Sequence, residues 1–314
     1  MPDVVCLGIL VADVLGRPIE SLPPRGKLSL VEQIELHIGG CAANVSIDLV
    51  RLGFSAATLG MVGNDGFGDF VVRTLEKAGV ETGGVVRTDD AHTSATMIAV
   101  HADGERSFLH YIGANAAYRE EHVDLELVRS ARILHVAGAL VMPGLDGEPM
   151  ARVLKHAREA GVMTALDTVY DATGRWMSVL APCLEHADLF LPSLEEAKCL
   201  TGQQEPPAIA KALMDRGVGT VVIKLGERGS YIRSANEELW LPAYKVEAVD
   251  GTGSGDAFVA GFLAGLLSGW DLEKTGRFAN AVGAMCVTAL GTTAGIRSMQ
   301  ETLKFMETAQ PLAV

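Results

Sequence analysis

Short apolar runs alternate with longer segments of helical period from Ile133 to Lys224. Ile133–Val136, Val162–Leu166, Leu189–Leu191 and Thr220–Lys224 have the length and composition of strands, and Leu145–Ala160 and Glu195–Leu200 read as helices between them. Strands joined through helices cannot pair as tight hairpins, so this rhythm predicts a parallel sheet covered on both faces. The first third adds the strands Val4–Ile9 and Ala56–Val62 and the helices Ala42–Leu52 and Phe67–Ala78, each followed by a glycine suited to end a helix, Gly53 and Gly79. Near the other end an antiparallel pair, Ser230–Arg233 and Glu238–Leu241, turns over Ala235-Asn236 and precedes two long helices, Ser254–Leu267 and Leu272–Leu290. The expected architecture is α/β, a three-layer αβα sandwich around a mostly parallel central sheet.

Two segments break the rhythm. Leu28–Ile38 reads as one or two half-exposed strands, and residues 93–112 form a hairpin pattern around Ala102-Asp103-Gly104-Glu105, where Asp-Gly is a favoured turn pair. The economical reading is that both leave the main sheet and pair as a small β-sheet lid, inserted at about 16–38 and 92–113 into a single domain spanning 1–314.

The net charge of -13 disfavours nucleic acid and anionic membrane as partners and gives no long-range attraction to a phosphate ligand, so any phosphate site must be local. The five cysteines, Cys6, Cys41, Cys183, Cys199 and Cys286, are scattered and lack a C-x-x-C spacing, which points to reduced thiols in a cytoplasmic protein. MPDVVCLGIL carries no basic region of a signal peptide, and the longest near-apolar stretch, Phe258 to Trp270, is too short for a membrane span of about 20 residues.

The stretch Asp250-Gly251-Thr252-Gly253-Ser254-Gly255-Asp256 carries the chemistry. Its glycines let another molecule approach the backbone, and the helix that follows offers unpaired N–H groups with partial positive charge. Together they make an anion site without a basic side chain. Asp256, in the first helical turn, is either a cap stabilised by the helix dipole or a general base beside a phosphate cradle. The loop is neither a P-loop nor a dinucleotide fingerprint: no lysine follows its last glycine, and the first strand carries only Gly8.

VDGTGSGDAFVAGF resembles the C-terminal signature of the ribokinase-like, or PfkB-type, carbohydrate kinases. The resemblance implies that Gly253, Ser254, Gly255 and the Asp256 amide form an anion hole and that Asp256 is the catalytic base. Gly39-Gly40-Cys41-Ala42-Ala43-Asn44 is similar to the family's N-terminal signature; Gly39 and Gly40 then form a hinge between lid and core, and Asn44 contacts substrate hydroxyls. Asp13, after the first strand, sits where the family places a substrate-binding aspartate. Gly60–Gly68 resembles a structural turn of the family. Leu191–Ala197 resembles its N-x-x-E motif, with Ser193 in place of Asn, making Glu196 the candidate to organise Mg²⁺ through water. Lys224–Gly229 resembles its nucleotide loop, with Gly226 and Gly229 as binding positions and Lys224 either facing the ATP phosphates or serving as a strand-end cation. Asn280 and Thr288–Gly295 fall where the family covers adenine, and Asp250 where a monovalent cation such as K⁺ binds in some members.

The resemblance runs from Gly8 to Gly295 and implies a ribokinase-like fold, with transfer of the ATP γ-phosphate to a sugar hydroxyl and a lid closing over the acceptor. Arg106, His110, Tyr111 and Asn115 are candidates to line that lid. Val31, Ile34, Ile98 and Val100 are candidates to pair the lids of a homodimer. A nucleoside kinase of the same family and a non-catalytic sugar or nucleotide sensor are the alternatives.

Overall fold

The computed structural model describes residues 1–102 and 105–312. Among them a nine-stranded sheet and a four-stranded sheet account for all paired strands. The chain opens with β1 (Val4–Gly8), whose side chains are buried on both faces: Val5 and Leu7 enter one core, Val4 and Cys6 the other. Such two-sided burial is what a continuous apolar run supplies in a covered parallel sheet. β4 (Ala56–Gly63) and β5 (Val85–Thr88) extend the sheet on one side of β1. On the other side follow β8 (Ile133–Ala139), β9 (Met163–Thr168), β10 (Leu189–Phe190) and β11 (Thr220–Lys224), all parallel. β12 (Ser230–Arg233) and β13 (Glu238–Leu241) close the edge as the expected antiparallel pair.

Helices α1 (Cys41–Arg51), α2 (Gly66–Ala78), α8 (Ser254–Leu267), α9 (Leu272–Cys286) and α10 (Met299–Thr308) cover one face. Helices α3 (Leu125–Ser130), α4 (Glu148–Glu159), α5 (Met177–Leu184), α6 (Leu194–Thr201) and α7 (Pro206–Met214) cover the other. The three-layer sandwich read from the sequence is therefore present. The near-apolar stretch from Phe258 is α8, enclosed between sheet and α9. A Cβ on Gly261 would come within 2.9 Å of the Ala279 backbone, so the glycine is what lets the two helices pack this closely. No described helix is long and apolar enough to cross a membrane.

The four-stranded lid runs in the order β3-β2-β6-β7, with β2 (Val11–Arg17), β3 (Gln33–Gly39), β6 (Ala95–Val100) and β7 (Arg106–Tyr111). Its first strand differs from the expectation. β2 starts two residues beyond β1, while Leu28 and Leu30 are exposed and outside any strand. β3 begins only at Gln33, where register with Arg17 of β2 begins; the segment before it has no strand to pair with. The hairpin β6–β7 is present, but Asp103 and Gly104 of its expected turn lie outside the described residues. Helix α9 ends at Cys286 rather than Leu290, because the Val287 carbonyl accepts the Val249 and Asp250 amides. Asp65 caps α2 through Gly68 and also accepts from the Thr93 amide, so the Gly60–Gly68 turn anchors the start of the lid hairpin.

Candidate active site

The lid leaves the core at the carboxyl end of β1, the end at which open α/β sheets bind ligands. The return path passes through Gly39 and Gly40. A Cβ on Gly39 would overlap Asp13 Oδ2, and one on Gly40, at φ 91°, would overlap the Ile9 carbonyl. The diglycine is thus required by the close approach of β2 to the start of α1, and it presses Asp13 against the turn.

Four residues after Gly40, Asn44 is buried in the first turn of α1. Its Nδ2 donates to Asp256 Oδ2 at 2.7 Å, and its Oδ1 accepts from Thr292 Oγ1 at 2.9 Å. The amide expected to meet a substrate hydroxyl is therefore engaged in fixing the candidate base. Asp256 is half-buried in the first turn of α8. Burial raises its pKa; the bonds from Asn44 and Cys41 and the charge of Lys224 oppose that rise, and Glu196 adds to it. Cys41 gave no signal in the sequence beyond its place after the diglycine.

Gly253 takes φ 80°, ahead of α8, and a Cβ there would lie 2.7 Å from Thr292 Cα. Positive φ and close backbone packing together make glycine the only comfortable residue at the start of α8, whose first amides have no partner within the helix. Within Thr288–Gly295, the segment expected to cover adenine, two residues also brace this loop: Gly291 N donates to Asp250 Oδ2 at 2.8 Å, and Thr292 packs on Gly253.

Asp250 is buried. Its Oδ1 accepts from Thr252 N at 2.8 Å and lies 2.6 Å from Arg106 Nη1 of β7. Arg106 also donates to Thr252 Oγ1. Burial alone would raise the Asp250 pKa, but Arg106 and the Gly291 and Thr252 amides outweigh it and hold the carboxylate below its ordinary range. A lid guanidinium thus stands beside Asp250, the residue that the resemblance marks as a monovalent-cation position in some members.

Lys224 ends β11 with Nζ 2.7 Å from Asp167 Oδ2, at the end of β9, and 3.6 Å from where a Cβ on Gly255 would sit. It is both a strand-end cation and a neighbour of the glycine loop. Asp167 was not legible as a site residue. Burial pushes its pKa to about 7 against the pull of Lys224. Glu196 closes a capping box: Oε2 accepts from Ser193 N at 2.9 Å and from Thr168 Oγ1 at 3.2 Å. Ser193 thus does the capping that fixes Glu196 near Asp167.

A cleft of about 380 Å³ runs from the loop after β11 to the start of α8. Lys224, Gly226, Gly229, Ser254, Gly255 and Asn280 line it, and Tyr244, Val246 and Val287 give it an apolar end. Asn280 is held by Nδ2 donating to the Leu241 and Pro242 carbonyls. Of the four lid candidates, Arg106 reaches Asp250 and His110 reaches Thr96 Oγ1 at 3.1 Å. Tyr111 is exposed, and Asn115 is buried, bonding the Leu10 amide and carbonyl.

Comparison with known proteins converges on one family. The chain is 31% identical over 287 residues to fructokinase-1 of Oryza sativa subsp. japonica, covering 86% of this chain and 88% of that protein. It is 28% identical over 293 residues to 2-dehydro-3-deoxygluconokinase of Bacillus subtilis, covering 90% of each. A structure from E. coli described as a ribokinase II, in complex with ATP and Mg²⁺, superposes with a TM-score of 0.86 at 25% identity, covering 98% of this chain and 99% of that one. Residues 1–299 match the family model described as pfkB family carbohydrate kinase, and this phosphotransferase chain belongs to that family.

Proposed function

We propose that the protein transfers the γ-phosphate of ATP to a hydroxyl of a small sugar, with Asp256 as general base and the Gly253–Asp256 backbone as anion hole. The observation that carries this reading is the position of Asp256: one carboxylate oxygen is fixed by Asn44, and the residue directly follows Ser254 and Gly255 of the cleft wall. A raised but not sealed carboxylate suits proton acceptance from an alcohol. As the acceptor oxygen attacks phosphorus in line, its proton passes to Asp256, the new P–O bond forms, and the bond to the β-phosphate oxygen breaks to release ADP. The amides opening α8 hold the charge on the moving phosphoryl group; one such donor is worth roughly 2.7–4 kcal/mol. The cleft between Gly226, Gly229 and Asn280 fits the nucleotide, its apolar end the base. Asp13 and the lid take the sugar, with Gly39 and Gly40 as hinge.

No cluster of three metal-ligating side chains occurs among the described residues, which suits Mg²⁺ arriving with ATP, since that ion keeps water and phosphate ligands and needs few carboxylates. Glu196 and Asp167 are the carboxylates that would hold the ion through water, and it would supply neutralisation of phosphate charge. The test is ADP release from ATP and Mg²⁺ over ribose, fructose, 2-keto-3-deoxygluconate, adenosine and inosine; turnover with none of them contradicts the reading.

We further propose a homodimer through the outer face of the lid. Leu36, Val14, Met97 and Leu109 pair in one row across all four strands, with Leu36, Met97 and Leu109 exposed. Ile34 lies on the same face, whereas Ile98 is buried on the opposite one, so the patch is not the one expected. Sedimentation of Met97→Lys tests it: a monomer supports the patch, and an unchanged dimer contradicts it. All five cysteines are free thiols, in keeping with a cytoplasmic protein.

A further inference from the structure

The inner face of the lid carries a second polar row. His37 pairs with Asp13, Asp13 with Thr96, and Thr96 with His110, so the four side chains project from one face in line across β3, β2, β6 and β7. That face looks onto the core: His37 Nδ1 lies 3.3 Å from where a Cβ on Gly291 would sit, and Gly291 donates to Asp250 beside the glycine loop. Asp13 is pressed against Gly39, at the entrance to α1 and Asn44.

Carboxylates dominate the charge around this row. Asp13 and Asp256 are carboxylates, and Glu35 Oε2 sits 2.7 Å from His37 Nε2. The four lid strands contain two residues of type Arg or Lys, Arg17 and Arg106. Arg106 is spent on Asp250, and Arg17 Nε donates to Gln33 Oε1 at 2.7 Å. Lys224, below, is spent on Asp167. Partial desolvation holds His110 below the ordinary imidazole range, so its ring is an uncharged hydrogen-bonding group at neutral pH.

We infer that His37 and His110 are acceptor-binding residues that, with Asp13 and Thr96, select an uncharged polyhydroxyl acceptor and reject sugar acids and sugar phosphates. This rests on the kinase reading above and narrows it. Each hydroxyl both donates and accepts, which matches a carboxylate, a threonine and two imidazoles; an acceptor carboxylate meets no unpaired cation in the row. At an effective dielectric of about 20, two like charges roughly 5 Å apart disfavour binding on the order of a hundredfold. The two curated relatives carry names for acceptors of both kinds, a ketose and a sugar acid, so homology alone leaves the choice open.

The experiment compares kcat/KM for D-fructose, D-ribose and D-glucose with that for D-gluconate and 2-keto-3-deoxygluconate in the intact protein. The best neutral acceptor is expected to exceed the best acid on the order of a hundredfold. His37→Ala and His110→Ala each raise the KM of the neutral acceptor about tenfold, as loss of one hydrogen bond does, and leave the KM for ATP unchanged. His110→Arg, on an exposed edge position, narrows the gap between acid and neutral acceptors. An acid used as well as the neutral sugars, or an acceptor KM unmoved in both alanine variants, overturns the inference while leaving the kinase reading intact. Absence of ADP release with every acceptor of both classes, and with the nucleosides, overturns the kinase reading itself.

Discussion

Arg106 of the lid strand β7 and Asp250 of the core form a buried ion pair at 2.6 Å, and the same guanidinium reaches Thr252 in the loop that opens α8. Both oxygens of Asp250 are then occupied, Oδ1 by Arg106 and Thr252 N, Oδ2 by Gly291 N. A monovalent cation beside Asp250 would have to displace a charge-assisted bond. Turnover is therefore expected to be unchanged when Na⁺ replaces K⁺ at constant ionic strength. Strong stimulation by K⁺ would show that Arg106 does not supply this charge in the working enzyme.

Lys224 and Asp167 pair across β11 and β9 under the glycine loop. Removing one partner of a buried pair leaves the other uncompensated, at a cost of about 3–5 kcal/mol. The pH sign follows from Asp167, whose folded pKa of about 7 lies above its ordinary value. A raised acid favours the folded state while protonated, and that contribution is lost as pH climbs through its folded pKa. Lys224→Met should therefore lower the urea midpoint strongly at pH 8 and weakly at pH 5.5. An equal loss at both values would contradict the pairing.

Gly253 is the position where backbone geometry and chemistry meet. Alanine there must adopt φ 80° and place Cβ 2.7 Å from Thr292 Cα. Strain of this kind costs of order 1–3 kcal/mol, and tilting the amides forfeits roughly 10²-fold in kcat if one anion-hole donor is lost. Gly253→Ala should show both effects, in thermal unfolding and in turnover. Wild-type turnover in a destabilised variant would separate the loop's fold from its catalytic role.

The parallel core was legible because burial on both faces writes itself as uninterrupted apolar runs, as in Val4–Gly8. Helix α8 was legible to the residue because Gly253 and Ser254 mark its start chemically. β2 was missed because Val-Ala-Asp-Val-Leu-Gly carries no turn between itself and β1; what separates them is the change of sheet at Ile9 and Leu10, a tertiary event. The candidate site was legible wherever glycine spacing encodes it, at residues 39–44 and 250–256. It was not legible where function depends on which side chains meet across the fold. Asn44 holds Asp256 from 212 positions away, and nothing local marks Asp167 or the reach of Arg106 to Asp250.

Kinetics of Asp256→Asn test the central claim most directly. The isosteric amide keeps the shape of the α8 turn but cannot take the acceptor's proton. The account predicts a fall in kcat of roughly 10²–10⁴-fold with ATP binding preserved, since general-base catalysis is worth about that much. Turnover close to that of the unaltered protein, with ATP bound equally well, would contradict it.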